Sequence, residues 1–107
     1  MLDRNKIFLL KQTIQDSSAF DKQAELFRCI GDPTCLKLIS LLAANKMLCV
    51  SDLTKVLGLS MPAVSHQLKK LHGLGLVTRK RDGQIVCYSL SQNTFTRKLK
   101  GYLKKFT

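Results

Sequence analysis

Apolar residues recur at helical spacing along most of this chain, and the period shortens to that of strands only near residues 75–90. Within residues 4–15, Ile7, Leu10 and Ile14 fall on one side of a predicted helix, which Asp16-Ser17-Ser18 interrupts. Phe20, Ala24, Phe27 and Ile30 mark a second helix ending near Gly31. Asp32-Pro33 then supplies an N-cap and a first-turn proline for a third, with Leu38, Ile39 and Leu42 facing the core. A short buried stretch at residue 48 leads into two short helices. Ser51 is placed to cap the first and Gly58 to end it. Ser60 is placed to cap the second, with Pro62 still in the first turn, where its missing N–H costs little. Val64, Leu68 and Leu71 give that helix one apolar stripe at i, i+4, i+7. Asp82-Gly83 is the strongest hairpin signal in the chain. From Asn93 to Phe106 a final helix carries Phe95, Leu99, Tyr102, Leu103 and Phe106.

Two short helices joined by a glycine turn form a helix-turn-helix, which can set its second helix in a DNA major groove. A charged ribbon behind it is a wing. The predicted fold class is therefore mainly α: a winged helix-turn-helix with a two-stranded β-hairpin wing and flanking N- and C-terminal helices. The 107 residues read as one domain, with a helical N-terminal extension over 1–17, the helix-turn-helix over 51–72, the wing over 75–90 and a C-terminal helix over 93–106. Ile7-Phe8-Leu9-Leu10 is too short an apolar run for a signal-peptide core or a membrane span, so a cytoplasmic location is expected.

The net charge of +11 sharpens this picture because it is uneven. Residues 1–53 hold seven Lys/Arg against six acids; residues 54–107 hold eleven against one, Asp82. The excess coincides with the second motif helix, the wing and the final helix, as a footprint for phosphate would. Down the axis of the second motif helix, Pro62, His66, Lys69 and Lys70 lie opposite the apolar stripe, with Ser65 on the flank. Small hydrogen-bonding groups near the start of such a helix reach base edges, and cations further along meet phosphates. Ser65 and His66 fit the first task and Lys69 and Lys70 the second; Arg79, Lys80 and Arg81 supply the wing, and the capping Ser60 is counted with the DNA-binding residues. Taken alone, the helix would read as the solvated side of an ordinary amphipathic helix. The basic hairpin that follows favours double-stranded DNA instead.

These motifs, in this order, resemble a known family. Gly31-Asp32-Pro33-Thr34, then Leu48-Cys49-Val50-Ser51-Asp52-Leu53, Val64-Ser65-His66-Gln67-Leu68-Lys69, Gly75-Leu76-Val77 and the Asp-Gly wing are similar to the ArsR/SmtB repressors. The resemblance covers roughly residues 20 to 105. It implies a prokaryotic winged-helix repressor, homodimeric through its N- and C-terminal helices, that binds a pseudo-palindromic operator and releases it on sensing. Ser65 and His66 occupy family base-reading positions, whereas Met61 and Pro62 depart from the polar residues often found there. The apolar side of the final helix, with Phe95, Leu99, Tyr102 and Phe106, also looks too large for one subunit to cover.

The same resemblance leaves the inducer, and any metal or cofactor, open. Where metal-sensing members carry Cys-Val-Cys-Asp-Leu, this chain has Cys49-Val50-Ser51-Asp52-Leu53. No Asp, Glu or His follows Asp82, so the zinc site that the family builds on its C-terminal helix is not expected. A stable soft-metal site wants three or four thiolate or imidazole ligands. Four cysteines remain: Cys29, Cys35, Cys49 and Cys87. In a chain of this kind, free, metal-binding or redox-active thiols are expected before structural disulfides. Cys35, in the first turn of a helix, is placed for a lowered pKa. Cys35 and Cys49 are thus candidate sensor thiols, Cys29 a permitted disulfide partner for Cys35, and Cys87 a core residue. Three readings stay open: buried apolar fillers, a redox or sulfur sensor, and a soft-metal or metalloid site.

An enzyme fits poorly. Ser65 and His66 are adjacent on a helix, so their side chains diverge by about 100° and make no nucleophile–base pair. Gly73-Leu74-Gly75 follows a helix and lacks the strand-turn-helix setting of a nucleotide loop. A winged helix without a sensor, serving as a DNA or protein-interaction module, is the remaining alternative.

Overall fold

Local capping chemistry sets most helix boundaries in the computed structural model, which describes residues 1–15 and 17–105. Helix α1 spans Arg4–Gln15 and α2 spans Ser17–Ile30. Asp16, placed by the sequence in the break between them, lies outside the described residues. Asp32 caps α3 (Pro33–Ala44) by accepting the Cys35 N–H on Oδ2 at 3.0 Å, with Pro33 in the first turn. Strand β1 is only Leu48–Cys49, and α4 (Val50–Leu57) follows at once. Its N-cap is Cys49 with no side-chain cap bond, so Ser51 lies inside the helix rather than capping it. Gly58 closes α4 at φ 65°, a left-handed conformation that a Cβ would oppose, and donates its N–H to Thr54 O at 2.8 Å. After α5 (Met61–Gly73) come β2 (Val77–Asp82), β3 (Ile85–Leu90) and α6 (Thr94–Lys104).

β2 and β3 form the two-stranded wing, and the sheet extends beyond it by one short strand. β1 joins it to make an antiparallel sheet in the order β1-β3-β2, with Leu48 opposite Tyr88 and Cys49 opposite Cys87. Asp82 pairs with Ile85, which leaves Gly83-Gln84 as the loop. Of these two residues only Gly83 has positive φ, at 61°, as a type II′ turn requires at its first position. The turn is therefore one residue later than the Asp-Gly pair suggested.

The core lies where α3, α4 and α5 meet the base of the sheet. Leu38, Ile39, Leu53, Val64, Leu68 and Leu71 are fully buried, with Leu76, Val77, Tyr88 and Leu90 beside them. The stripe read from the sequence on α5 is thus its packed side. Phe95, Leu99 and Leu103 of α6 pack partly buried against this core. Asn93 and Thr96 form a capping box at the start of α6, and the buried Thr96 hydroxyl also donates to Ser91 O.

Unpartnered apolar surface is concentrated at the other end of the chain. α1 buries none of its residues, and Ile7, Phe8, Leu9, Leu10 and Ile14 are 42–66% exposed. Phe20 and Phe27 of α2 are exposed as well. On α6 only Tyr102 of the predicted apolar set stands open, and Phe106 lies outside the described residues. The core takes up Phe95 and Leu99 in part, because α6 folds back onto α3, while Tyr102 stays 61% exposed, so α6 keeps some open apolar surface of its own.

Candidate nucleic-acid interface

The α4–α5 turn presents the start of α5 outward. Ser60 accepts the Ala63 N–H on Oγ at 3.3 Å, so its hydroxyl oxygen already has a role in capping. Because Val64, Leu68 and Leu71 point inward, His66, Lys69 and Lys70 are carried to the surface, and Ser65 is half-buried on the flank. Met61, Pro62 and Ala63 are exposed beside them.

Strand alternation divides the wing cations. Directly opposed residues of an antiparallel pair lie on one face. Arg79 is opposite Tyr88 and Arg81 opposite Val86, so both arginines share the core-side face of the sheet. Lys80 is opposite Cys87 and stands on the other face. The sequence grouped these three cations as one cluster; the pleat gives two on one side and one on the other. Arg81 also donates Nε–H to Gly83 O at 3.0 Å, which ties its guanidinium to the turn. Among the described residues the ion pair present is Glu25–Arg28 on α2, so no carboxylate neutralises the cations of α5 or the wing.

The cysteines form two pairs rather than a set of loose thiols. Cys49 and Cys87 are joined by a disulfide across the β1–β3 ladder, with Cα atoms 3.8 Å apart. This corrects two expectations: Cys49 is not a free sensor thiol, and Cys87 is not a plain core residue. Cys29 and Cys35 are free and buried, with sulfurs 3.5 Å apart. Burial pushes the Cys35 thiol up to about 12, and the neighbouring Cys29 sulfur and Asp32 carboxylate act in the same direction. The helix-start position was expected to lower it. Desolvation wins because the side chain has no exposure at all, while the Asp32 carboxylate occupies the cap.

The structure also reveals a residue that the sequence reading passed over. Cys35 donates its S–H to Gln67 Oε1 on α5 at 3.0 Å. Gln67 lies three residues after Val64 and four before Leu71, so helical spacing already set it at the edge of the packed stripe. That spacing gives no sign of its partner on α3. Among the described residues, no three His, Cys, Asp or Glu side chains come together as a metal site would need.

Comparison with known proteins bears on the whole arrangement. The sequence model of the family described as "Bacterial regulatory protein, arsR family" matches residues 32–79. A relative from Halobacterium salinarum, "Putative arsenical resistance operon repressor ArsR2", is 34% identical over 80 residues, 74% of this chain and 67% of that protein. This chain belongs to the ArsR/SmtB family. Another relative, the transcriptional repressor SmtB homolog of Synechocystis sp., is 44% identical over 72 residues, 67% of this chain. The chain spans about half of that relative's length, 54%. In three dimensions the ArsR/SmtB chain is similar to HlyU from Vibrio cholerae N16961, at 29% identity and a TM-score of 0.72, over 86% of this chain and 96% of that one. Family and fold are those of winged-helix transcriptional regulators, not of enzymes. No helix among the described residues is long and apolar enough to cross a membrane.

Proposed function

We propose that this ArsR/SmtB chain is a dimeric, sequence-specific repressor that sets α5 in the major groove of operator DNA and lays the wing along the backbone. One observation carries the reading: His66, Lys69 and Lys70 stand exposed on the outer side of a helix held by a fully buried inner stripe, and the hairpin that follows carries Arg79, Lys80 and Arg81, none of them in an ion pair among the described residues. His66 and the flanking Ser65 have the chemistry for base edges. Ser60 accepts its capping bond and keeps its hydroxyl proton available for a phosphate or base acceptor. Lys69, Lys70 and the wing residues Arg79, Lys80 and Arg81 supply phosphate contacts.

The open apolar surface of α1 supports the two-fold part of this reading, because it is larger than single scattered residues. A second copy would cover it and set two α5 helices about 34–36 Å apart, one DNA turn. The Synechocystis relative carries the name repressor, and the charge excess of this chain lies on the half that would face DNA.

Thiol chemistry is the response that the interior supports. Oxidation of Cys29 and Cys35 to a disulfide would remove the S–H whose acceptor is Gln67 on α5. With both sulfurs buried, only a small oxidant such as a hydroperoxide would reach them, and derepression would be slow.

The test is salt-titrated binding to a site selected from a randomised DNA pool. Ser65→Ala and His66→Ala should each lower discrimination against random DNA by about 1–3 kcal/mol, while Lys70→Ala or Arg81→Ala should weaken both DNAs alike and flatten the salt slope. Equal losses on both DNAs for the Ser65 and His66 variants would reject base reading by these residues.

A further inference from the structure

The Cys49–Cys87 bond closes a loop of 38 residues that contains α4, α5, β2 and the wing turn, which is the whole DNA-reading head. It joins the cap of α4 to the middle of β3, the central strand of the sheet. Without it, β1 is held to the wing by only two residue pairs, Leu48–Tyr88 and Cys49–Cys87. Both sulfur-bearing residues are half-buried rather than sealed, in contrast to the fully enclosed Cys29 and Cys35. Lys80 stands directly opposite Cys87, on the same face of the sheet, and places a positive charge beside the bond. A nearby cation favours the thiolate form of a cysteine and the approach of an anionic thiolate.

We infer that Cys49–Cys87 is a reversible modification site at which a small cellular thiol of the glutathione class opens the staple and lowers affinity for DNA. A thiolate RS⁻ attacks one protein sulfur, the S–S bond breaks, and the other cysteine leaves as a thiolate and takes up a proton. A second RS⁻ attacks the mixed disulfide, RSSR departs, and the first cysteine is released and protonated. Two thiols are oxidised and one protein disulfide is reduced, so electrons balance. Opening the staple removes the covalent tie between the wing and the front of α4, and α5 and the wing must then be aligned at the moment of binding. That ordering cost lowers affinity. The inference rests on the operator-binding reading above but concerns a different pair of cysteines from the buried one.

The experiment uses the full chain in glutathione buffers of graded potential. Mass spectrometry after alkylation reports the state of each cysteine. Since Cys29 and Cys35 are already thiols, mild reduction changes Cys49 and Cys87 alone. Reduced protein and Cys87→Ala should bind the selected site at least about fivefold more weakly than oxidised protein, the lower end of ordinary coupling between sites. Amide hydrogen exchange over residues 77–90 should quicken on reduction while that of α3 holds. Equal DNA affinity of the two forms would overturn the switch and leave the repressor reading intact. Absence of specific DNA binding in both forms would overturn the repressor reading. Hydrogen exchange then decides the mechanical claim by itself, and unchanged exchange over 77–90 overturns it.

Discussion

Opening the Cys49–Cys87 bond should lower the stability of this regulator by an amount that the length of its loop sets. A disulfide acts mainly by narrowing the unfolded ensemble, and the loss grows with the logarithm of the closed loop. For the 38-residue separation the chain-entropy relation gives about 4 kcal/mol at 25 °C. That is a large share of the roughly 5–15 kcal/mol of a typical domain. With an m-value of about 1–3 kcal/mol/M in urea, the midpoint should fall by roughly 1–4 M. The assay is equilibrium urea unfolding of oxidised and reduced protein, followed by far-UV circular dichroism at one fixed protomer concentration, because a dimer makes stability concentration-dependent. Cys49→Ala/Cys87→Ala should reproduce the reduced curve and should no longer respond to reductant. A midpoint that stays put on complete reduction would refute the reasoning. It would mean either that the reduced unfolded chain is already restricted near the loop ends or that the bond distorts the native β1–β3 pairing by as much as it stabilises.

Other parts of the structure give equally direct outcomes. The raised pKa of Cys35 means that the folded state holds this proton more tightly than the unfolded chain does, so its contribution is whole below about 9 and is lost as pH rises toward about 12. Urea unfolding at stepped alkaline pH should show a steeper loss for wild type than for Cys35→Ala; parallel curves would reject the coupling. Leu68→Ala, at a fully buried position, should cost about 2–5 kcal/mol in the same assay. Phe8→Glu on the open side of α1 should give a monomer in sedimentation at micromolar concentration, and a persisting dimer would move the interface elsewhere. Gln67→Leu keeps the size but removes the acceptor of the Cys35 S–H. It should uncouple operator affinity from Cys29–Cys35 oxidation, read as equal affinity before and after hydroperoxide treatment.

How much of this was legible beforehand depended on the range of each interaction. Caps act within one turn, so Asp32-Pro33, Gly58 and Ser60 marked their helix ends correctly from neighbouring residues alone. Helical period fixed the side of α5 that is buried, and with it the side that carries His66, Lys69 and Lys70 outward. Ser51 misled because a serine before an apolar run is an ordinary cap signal, yet β1 pairing holds Cys49 extended and the helix begins directly after it. The other departures all involve partners distant in the chain. The register of β1 on β3 decided that Cys49 meets Cys87, 38 residues away, and strand alternation within the sheet set Lys80 apart from Arg79 and Arg81. Packing of α3 on α5 put Cys35 against Gln67 and removed the water that a thiolate would need. Folding of α6 onto the core partly covered Phe95 and Leu99, while α1 buries none of its residues. Local backbone chemistry and periodicity determine what each segment becomes and which side it buries; which side chains from separate segments then touch is decided by packing and strand register, and in this chain that decision governs the fate of every cysteine.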